Sequence, residues 1–181
     1  METTIVLVRH GETDWNFERR VQGHTDRPLN ETGRAQARAL AAELADEEFD
    51  AVYSSDLARA YETARILAEA RDLDVTVVPD LRERDFGTWE GLTDTEIEQR
   101  FPDARRGHWG DAETPEEMRE RILGALARIA DAHPGGRVLV VGHGGPVRAI
   151  LRHCGGDGDG AIANCHVARI ASGGGVLRVL D

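Results

Sequence analysis

Histidine and glycine occur together at two places in the chain, each directly after a short apolar run, and the first place also has an arginine. Arg9 and His10 lie in VRHGETDWN, and His143 lies in VVGHGGP. A further arginine, Arg59, begins a helix-like segment after the apolar run FDAVYSS. Guanidinium groups offer forked donors that match phosphate or carboxylate oxygens, and imidazoles serve as nucleophile, acid or hydrogen-bond donor near neutral pH. These residue types predict a pocket for a doubly charged anion, with a histidine inside it.

Each of these side chains also has a structural explanation. His10 could be a satisfied histidine at the end of a strand, and His143 could cap a glycine-rich turn. A cation in the first turn of a helix is unfavourable by ~0.3–1 kcal/mol, which favours a ligand for Arg59. Asp56, three residues earlier, could instead neutralise that charge.

The segment LRERDFGTWEG contains a candidate acid. Glu83 lies between Arg82 and Arg84, so a solvated ion pair is the alternative to a role in proton transfer, and Asp85 is a rival acid two positions later. A general acid needs a raised pKa, and the two arginines would lower the pKa of Glu83 if they pointed inward. We therefore expect both arginines to point away from it.

Strand-like and helix-like segments alternate along the chain, which predicts an α/β fold. The predicted strands cover 5–8, 49–55, 75–78 and 137–141, and the predicted helices cover 31–46, 57–70, 113–132 and 146–154. Thr114, Pro115 and Glu117 form a capping box at the start of the third helix. The last two apolar runs, 165–172 and 176–181, predict a terminal hairpin or edge strands. In open α/β sheets, ligands bind at the carboxyl ends of the parallel strands. The polar segments that follow the predicted strands should therefore meet at one rim of the sheet.

Two stretches have no clear period. The stretch 93–112 is a candidate lid or insertion near the site. Its cationic and aromatic side chains could line the entrance or be solvated; they are Arg105, Arg106, His108 and Trp109. The loop GGDGDG lacks the remaining ligands of a calcium site. The chain has no P-loop, GxGxxG or HExxH pattern and no paired Cys/His spacing, so the sequence predicts no metal site.

Size and charge restrict the function further. The 181 residues fit one domain, 1–181, and the net charge of −11 makes broad binding to nucleic acid or an anionic membrane a poor hypothesis. Cys154 and Cys165 form no CxxC motif or disulfide framework. Neither a signal peptide nor an apolar run of about 20 residues is visible, so we expect a cytoplasmic protein.

Four ordered segments resemble the signatures of the histidine phosphatase superfamily, in the branch of the cofactor-dependent phosphoglycerate mutases and their phosphatase relatives. They are RHGETDWN, VYSSDLARAYETA, LRERDFGTWEG and VVGHGGPVRAIL, and together they run from about residue 4 to residue 151. The resemblance implies a three-layer sandwich, in which helices cover both faces of a mostly parallel central sheet.

The resemblance also implies roles for single residues. His10 matches the nucleophile that becomes a phosphohistidine, and Glu83 matches the proton donor. Arg9, Arg59 and a protonated His143 match the groups that hold the phosphoryl oxygens. The implied substrate-binding positions are Asn16, Thr13, Gln22 and Gly144. The arginines supply the positive charge, so the implied chemistry uses no metal and no cofactor.

Two departures from the family pattern bear on the activity. AETPEEM occupies the place where the family often has Gly-Gly-Glu-Ser, so a contact there is absent or rebuilt by Glu113 or Glu116. The segment between Trp89 and Thr114 is short, and a less enclosed phosphohistidine favours hydrolysis. We therefore predict a phosphatase for small phosphorylated metabolites. The alternatives are a phosphoglycerate mutase and a non-catalytic phosphate-binding module, and a homodimer through the terminal hairpin is open.

Overall fold

A six-stranded sheet forms the centre of the computed structural model, which describes residues 1–103, 111–156 and 160–180. The strands are β1 (Thr3–Arg9), β2 (Ala51–Ser54), β3 (Val75–Val77), β4 (Arg137–Gly142), β5 (Val167–Gly173) and β6 (Val176–Val179). Their order is β3-β2-β4-β1-β5-β6. The first four in this order are mutually parallel, whereas β5 and β6 form an antiparallel hairpin that joins the sheet through β1. The predicted terminal hairpin is confirmed.

Helices cover both faces of this sheet. They are α1 (Asp14–Phe17), α2 (Glu31–Glu43), α3 (Ala58–Glu69), α4 (Asp94–Arg100), α5 (Pro115–Ala132) and α6 (Gly144–His153). Alternate residues of β1 point to opposite faces: Ile5 packs in one core with α5 and α6, and Val6 packs in the other with α2 and α3. The predicted three-layer sandwich with a mostly parallel sheet is therefore confirmed.

The helix starts agree with the sequence in one case and differ in others. Thr114 and Glu117 form the expected capping box of α5. Helix α6 begins at Gly144, two residues before the predicted start at Pro146, because His143 is its N-cap. Helix α4 was not predicted, although Thr93 and Glu96 form a capping box there. Only Ile97 of that helix is buried, so its sequence has an N-terminal capping signal but almost no periodic pattern of apolar residues, which is the main sequence signal for a helix.

Some predictions fall outside the described residues. They concern Arg105, Arg106, His108 and Trp109, and the middle of the loop GGDGDG. In the part of the chain that is described, no helix is long and apolar enough to span a membrane.

Candidate active site

The carboxyl ends of β1 and β4 bring the two central histidines together. Arg9 is the last residue of β1 and pairs with Gly142, the last residue of β4. His10 and His143 each follow directly, and the His10 N–H donates to the Gly142 carbonyl at 3.0 Å. The two imidazole rings meet edge to face with their centroids 5.2 Å apart. The predicted meeting of polar segments at one rim therefore holds for these two strands.

The hydrogen bond of His10 determines its tautomer. Nδ1 lies 2.6 Å from the Gly11 carbonyl oxygen, which can only accept, so Nδ1 carries the proton. The ring is 3% exposed, and burial, followed by the charges of Arg59 and Arg9, lowers its pKa well below the ordinary value. The neutral ring thus keeps the lone pair on Nε2, which is the form that a nucleophile needs.

His143 is held by a serine on the neighbouring strand end. Its Nε2 lies 2.8 Å from Ser55 Oγ, and that hydroxyl also accepts from the Leu57 N–H. The ring is fully buried, and burial, then the charges of Arg59, His10 and Arg9, lowers its pKa well below the ordinary value. Burial among cations therefore favours the neutral ring in the ligand-free protein, whereas the protonated His143 that the resemblance implies concerns the ring with phosphoryl oxygens bound, and it stays a prediction.

These two lowered pKa values make stability depend on pH. Below pH 6.5 the unfolded imidazoles bind protons that the folded ones do not. The free energy of unfolding should therefore fall as the pH drops below the ordinary pKa, by up to ~1.4 kcal/mol per pH unit for each ring. Urea denaturation at pH 7.5, 6.5 and 5.5 measures this slope. The variant His10→Ala should lose about half of it, and an unchanged slope in that variant would contradict the assignment.

Arg59 is a fully buried guanidinium held by backbone carbonyls. Its Nη1 donates to Thr25 O at 3.0 Å and its Nη2 donates to Gly23 O at 2.7 Å. Burial lowers the pKa of Arg59 to about 10, an effect that the nearby carboxylate of Glu83 opposes. The side chain therefore stays charged at neutral pH, which a phosphate ligand requires.

Glu90 fixes the loop that holds Arg59. Its carboxylate accepts from the N–H groups of His24 and Thr25 at 2.7 and 2.8 Å. A Cβ on Gly23 would collide with that carboxylate, and Gly23 has φ +52°, so glycine is required on both counts. Glu90 thereby positions Arg59 indirectly, through the Gly23 and Thr25 carbonyls.

Arg9 is likewise held by a backbone carbonyl. Its Nη1 donates to the Ile162 carbonyl. A Cβ on Gly144 would lie 3.3 Å from Arg9 Nε, so the glycine gives the guanidinium room to lie against the start of α6. The predicted contact residue Gly144 is thus adjacent to Arg9.

Glu83 lies at the start of α6. One carboxylate oxygen, Oε2, accepts from the Gly145 N–H at 3.0 Å, and Oε1 accepts from the Arg84 N–H at 2.8 Å. A Cβ on Gly145 would collide with Oε1, so only glycine lets the carboxylate lie there. The rival Asp85 has a 43% exposed side chain and caps the turn at Gly87.

The two arginines that flank Glu83 have other partners. Arg82 forms a bidentate pair with Asp56, and Arg84 Nε donates to the Glu113 carbonyl at 2.8 Å. Among the described residues, neither guanidinium forms an ion pair with Glu83, although the charge of Glu83 acts on Arg84, so their orientation away from Glu83 stays a prediction. The acidic residue Asp56 neutralises Arg82 and not Arg59, so the alternative explanation for Arg59 is wrong.

The predicted polar contacts form one network beside His10. Thr13 caps α1 and donates through Oγ1 to Gln22 Oε1 at 2.9 Å. Asn16 accepts through Oδ1 from the Thr13 N–H and from Asn164 Nδ2, at 3.1 and 3.3 Å. Because the oxygen of the Asn16 amide is engaged, its Nδ2 donor is the end that can serve a ligand. Asn164 also donates to the His10 carbonyl at 3.0 Å.

Sequence reasoning missed three residues that support this site. Ser55, Glu90 and Asn164 contact His143, the Arg59 loop and Asn16, respectively. Ser55 and Glu90 lie within the family signatures quoted in the sequence analysis, so their place in those signatures is the sequence signal that could have identified them. Asn164 lies beyond them in an irregular segment and offered none.

Three buried nitrogen atoms at this rim have no hydrogen-bond partner among the described residues: Arg9 Nε, Arg59 Nε and His143 Nδ1. A buried polar group without a partner costs about 1–3 kcal/mol. A single anion that accepts from all three would remove that cost and would neutralise two guanidinium charges. The described residues contain no group of three or more His, Cys, Asp or Glu placed to hold a metal ion.

Known proteins are similar to this chain in sequence and in fold. The uncharacterized phosphatase PhoE of Bacillus subtilis is 41% identical over 154 residues, which span 85% of this chain and 78% of that protein. A metal-independent phosphoserine phosphatase of Arabidopsis thaliana is 42% identical over 177 residues, spanning 91% of this chain and 74% of the relative. A mycobacterial glucosyl-3-phosphoglycerate phosphatase in complex with VO3 superposes with a TM-score of 0.85 at 31% identity, covering 98% and 96% of the two chains.

The sequence pattern of one family extends over nearly the whole molecule. It matches residues 5–178, from β1 into β6, and so includes every strand end described above. The chain belongs to the histidine phosphatase superfamily (branch 1).

Proposed function

We infer that this protein is a phosphatase that hydrolyses small phosphomonoesters through a phosphohistidine at His10. One observation carries the proposal. The neutral His10 ring, with its lone pair on Nε2, lies buried in the field of two guanidinium groups, Arg9 and Arg59, whose Nε atoms have no partner among the described residues. This arrangement suits a dianion bound beside a nucleophile.

The first step forms the phosphoenzyme. Nε2 of His10 attacks phosphorus in line with the leaving oxygen, so that the N–P bond forms as the P–O bond to the alcohol breaks. Arg9 and Arg59 donate to the equatorial oxygens, and the buried His143 donates through Nδ1. Donation of the Ser55 hydroxyl proton to His143 Nε2 leaves that Nδ1 proton in place on a neutral ring. Glu83, which enters this step as the neutral carboxylic acid, gives its proton to the leaving oxygen and becomes a carboxylate.

The second step returns the protein to its starting state. Glu83, now a carboxylate, takes a proton from a water molecule whose oxygen attacks the phosphohistidine. The N–P bond breaks, inorganic phosphate forms, and the lone pair returns to Nε2. The Gly11 carbonyl keeps Nδ1 protonated and thus keeps the ring in one orientation through both steps. Asn16 donates from Nδ2 to the bound phosphate.

Two observations favour hydrolysis over mutase activity. The segment between Trp89 and Thr114 is short, so less chain is available to enclose a phosphohistidine and exclude water. Relatives of this chain carry phosphatase names, for phosphoserine and for glucosyl-3-phosphoglycerate. We propose a substrate of this general size. A cytoplasmic location and a homodimer remain predictions.

Incubation with 3-phosphoglycerate and a bisphosphoglycerate primer tests the proposal. We expect inorganic phosphate to be released, and a panel of phosphorylated metabolites to identify the preferred substrate. Formation of 2-phosphoglycerate without inorganic phosphate would instead establish the mutase. No turnover of any phosphoester, together with no acid-labile 32P-labelled intermediate, would leave a phosphate-binding module.

A further inference from the structure

Glu83 lies outside the helices and strands of the fold. Residues 82–86 connect two short turns of 3-10 helix, Pro79–Leu81 and Gly87–Trp89. Backbone groups outside regular structure must find their hydrogen-bond partners elsewhere in the protein. The position of the Glu83 carboxyl group therefore depends on the side chains that hold this segment.

Arg121 of α5 holds the carbonyl groups of the chain around Glu83. Its Nη1 donates to the Asp80 and Arg82 carbonyls at 2.7 and 3.0 Å, and its Nη2 donates to the Glu83 carbonyl at 3.2 Å. The same guanidinium forms a bidentate ion pair with Glu113, in which Nε lies 2.9 Å from Oε1 and Nη2 lies 2.8 Å from Oε2. These contacts use all the N–H donors of the arginine fork, which a lysine could not reproduce.

Glu113 holds the residues that follow Glu83. Its Oε2 accepts from the Asp85 N–H at 3.1 Å, and its own N–H donates to the Asp85 carbonyl at 2.9 Å. Its carbonyl accepts from Arg84 Nε at 2.8 Å. The side chains of Glu113 and Arg121 are 16% and 20% exposed, so the ion pair is largely shielded from solvent. Charge-assisted bidentate bonds are about twice as strong as neutral ones and fix the geometry of both partners.

The ion pair connects Glu83 to a rigid part of the molecule. Arg121 directly precedes Ile122, which is buried in the core. The Glu83 carboxylate accepts from the Gly145 N–H of α6, so α5 holds the backbone of this residue and α6 holds its carboxyl group. His24 Nε2 donates one more bond to the Glu83 carbonyl, at 2.8 Å, whereas Arg121 joins that carbonyl to α5.

We propose that the Glu113–Arg121 ion pair positions Glu83 for proton transfer to the leaving oxygen. The inference rests on the proposed function, in which Glu83 is the proton donor. Proton transfer requires the donor and the acceptor to be within hydrogen-bond reach, and a misplacement of about 1 Å can cost about 100-fold in rate. The contacts of Arg121 given above are to Glu113 and to backbone carbonyls, so its replacement should leave the guanidinium groups of Arg9 and Arg59 in place.

Two substrates that differ in their need for a proton test this role. The p-nitrophenolate ion is a weak base that leaves phosphorus without a proton, whereas the p-nitrobenzyl alkoxide is a strong base that must be protonated as the P–O bond breaks. Apart from one CH2 group, p-nitrophenyl phosphate and p-nitrobenzyl phosphate are alike. The ratio kcat/KM covers the steps up to release of the alcohol, so it reports proton donation and leaves out the later hydrolysis of the phosphohistidine.

Arg121→Lys keeps the charge but cannot form the contacts of the fork. We expect this variant to lower kcat/KM for p-nitrobenzyl phosphate by about 10- to 100-fold and to leave the value for p-nitrophenyl phosphate close to that of the wild-type chain. Glu83→Gln should show the same selectivity with a larger loss, of about 10²- to 10⁴-fold. Arg128→Lys is the matched control, because Arg128 lies on the same helix but pairs with the exposed Asp80 carboxylate, and it should keep wild-type values for both esters.

The outcomes separate the positioning role from the proposed function. If Glu83→Gln is selective and Arg121→Lys lowers both esters equally or neither, the positioning role is wrong and the phosphatase stands. If the wild-type chain hydrolyses neither ester and forms no phosphohistidine, the proposed function fails, and the positioning role with it. If Glu83→Gln lowers both esters equally, Glu83 is not the proton donor, and the positioning role is overturned although a phosphohistidine still forms.

A second variant keeps the test valid if Arg121→Lys does not fold. Glu113→Gln preserves the size of the side chain but removes the charge that pairs with Arg121. It should show the same selective loss for p-nitrobenzyl phosphate, and equal losses for the two esters would contradict the proposal.

Discussion

Replacement of His10 by alanine is expected to lower kcat by about 10⁴-fold or more, because the variant has no atom that can accept the phosphoryl group. The remaining cradle should still bind the dianion. Arg9, Arg59 and His143 are held by Ile162 O, by the Gly23 and Thr25 carbonyls and by Ser55, and none of these contacts involves the His10 side chain. KM should therefore change far less than kcat.

Rapid quenching in base after mixing with a 32P-labelled substrate measures the intermediate directly. The wild-type chain should carry a label that is stable in base and lost in acid, as a phosphoramidate is, and His10→Ala should carry none. His166→Ala is the matched control, since this histidine is exposed and lies two residues beyond Asn164. A labelled protein in the His10→Ala sample would remove His10 from the mechanism.

The position of the site could be predicted from sequence because it depends on short-range patterns. A β-branched run followed by Arg9, His10 and Gly11 indicates a strand end, and parallel pairing then brings Gly142 and His143 beside it. Binary patterning sufficed for the three-layer fold as well, since three of the parallel strands, β1, β2 and β4, place apolar residues on both faces. The predictions of the site's position and of the fold therefore required no long-range contact other than the pairing of strands in the sheet.

The supporting residues could not be predicted, because their roles depend on tertiary contacts. Glu90 positions Arg59 through the Gly23 and Thr25 carbonyls, which precede Arg59 by 36 and 34 residues. Asn164 reaches Asn16 across 148 residues. The charge state of His143 also follows from complete burial, which its glycine-rich sequence does not indicate.

The same burial implies that the residues of the site lower the stability of the protein. Each of these groups costs free energy that packing elsewhere must offset: a guanidinium at 0% exposure, two buried neutral imidazoles, and three nitrogen atoms without a partner in the described part of the chain. A bound phosphate would recover part of this free energy. Ligand binding at 100 times its Kd raises the free energy of unfolding by about 2.7 kcal/mol. Stability in the presence of phosphate or vanadate is therefore a measure of the cradle, independent of turnover.

Arg59→Met is expected to lower kcat/KM by about 10³-fold or more, since a buried guanidinium that stabilises phosphoryl transfer contributes 10³- to 10⁵-fold in comparable sites. The methionine fills similar space but cannot donate to phosphate, and it leaves the Gly23 and Thr25 carbonyls without their donors. Loss of those hydrogen bonds opposes the gain from removing a buried charge, so the free energy of unfolding of the ligand-free protein should change by less than about 2 kcal/mol.

Thermal unfolding with and without vanadate separates these effects. The wild-type chain should gain stability from the anion, and Arg59→Met should lose most of that gain while unfolding near the wild-type temperature without ligand. Arg65→Met is the matched control, because Arg65 lies on the same helix with an exposed side chain and should retain both activity and stabilisation. If Arg59→Met kept the full vanadate shift, the guanidinium would not bind the phosphoryl oxygens, and the charge buried at the start of α3 would serve only to hold the Gly23–Thr25 loop.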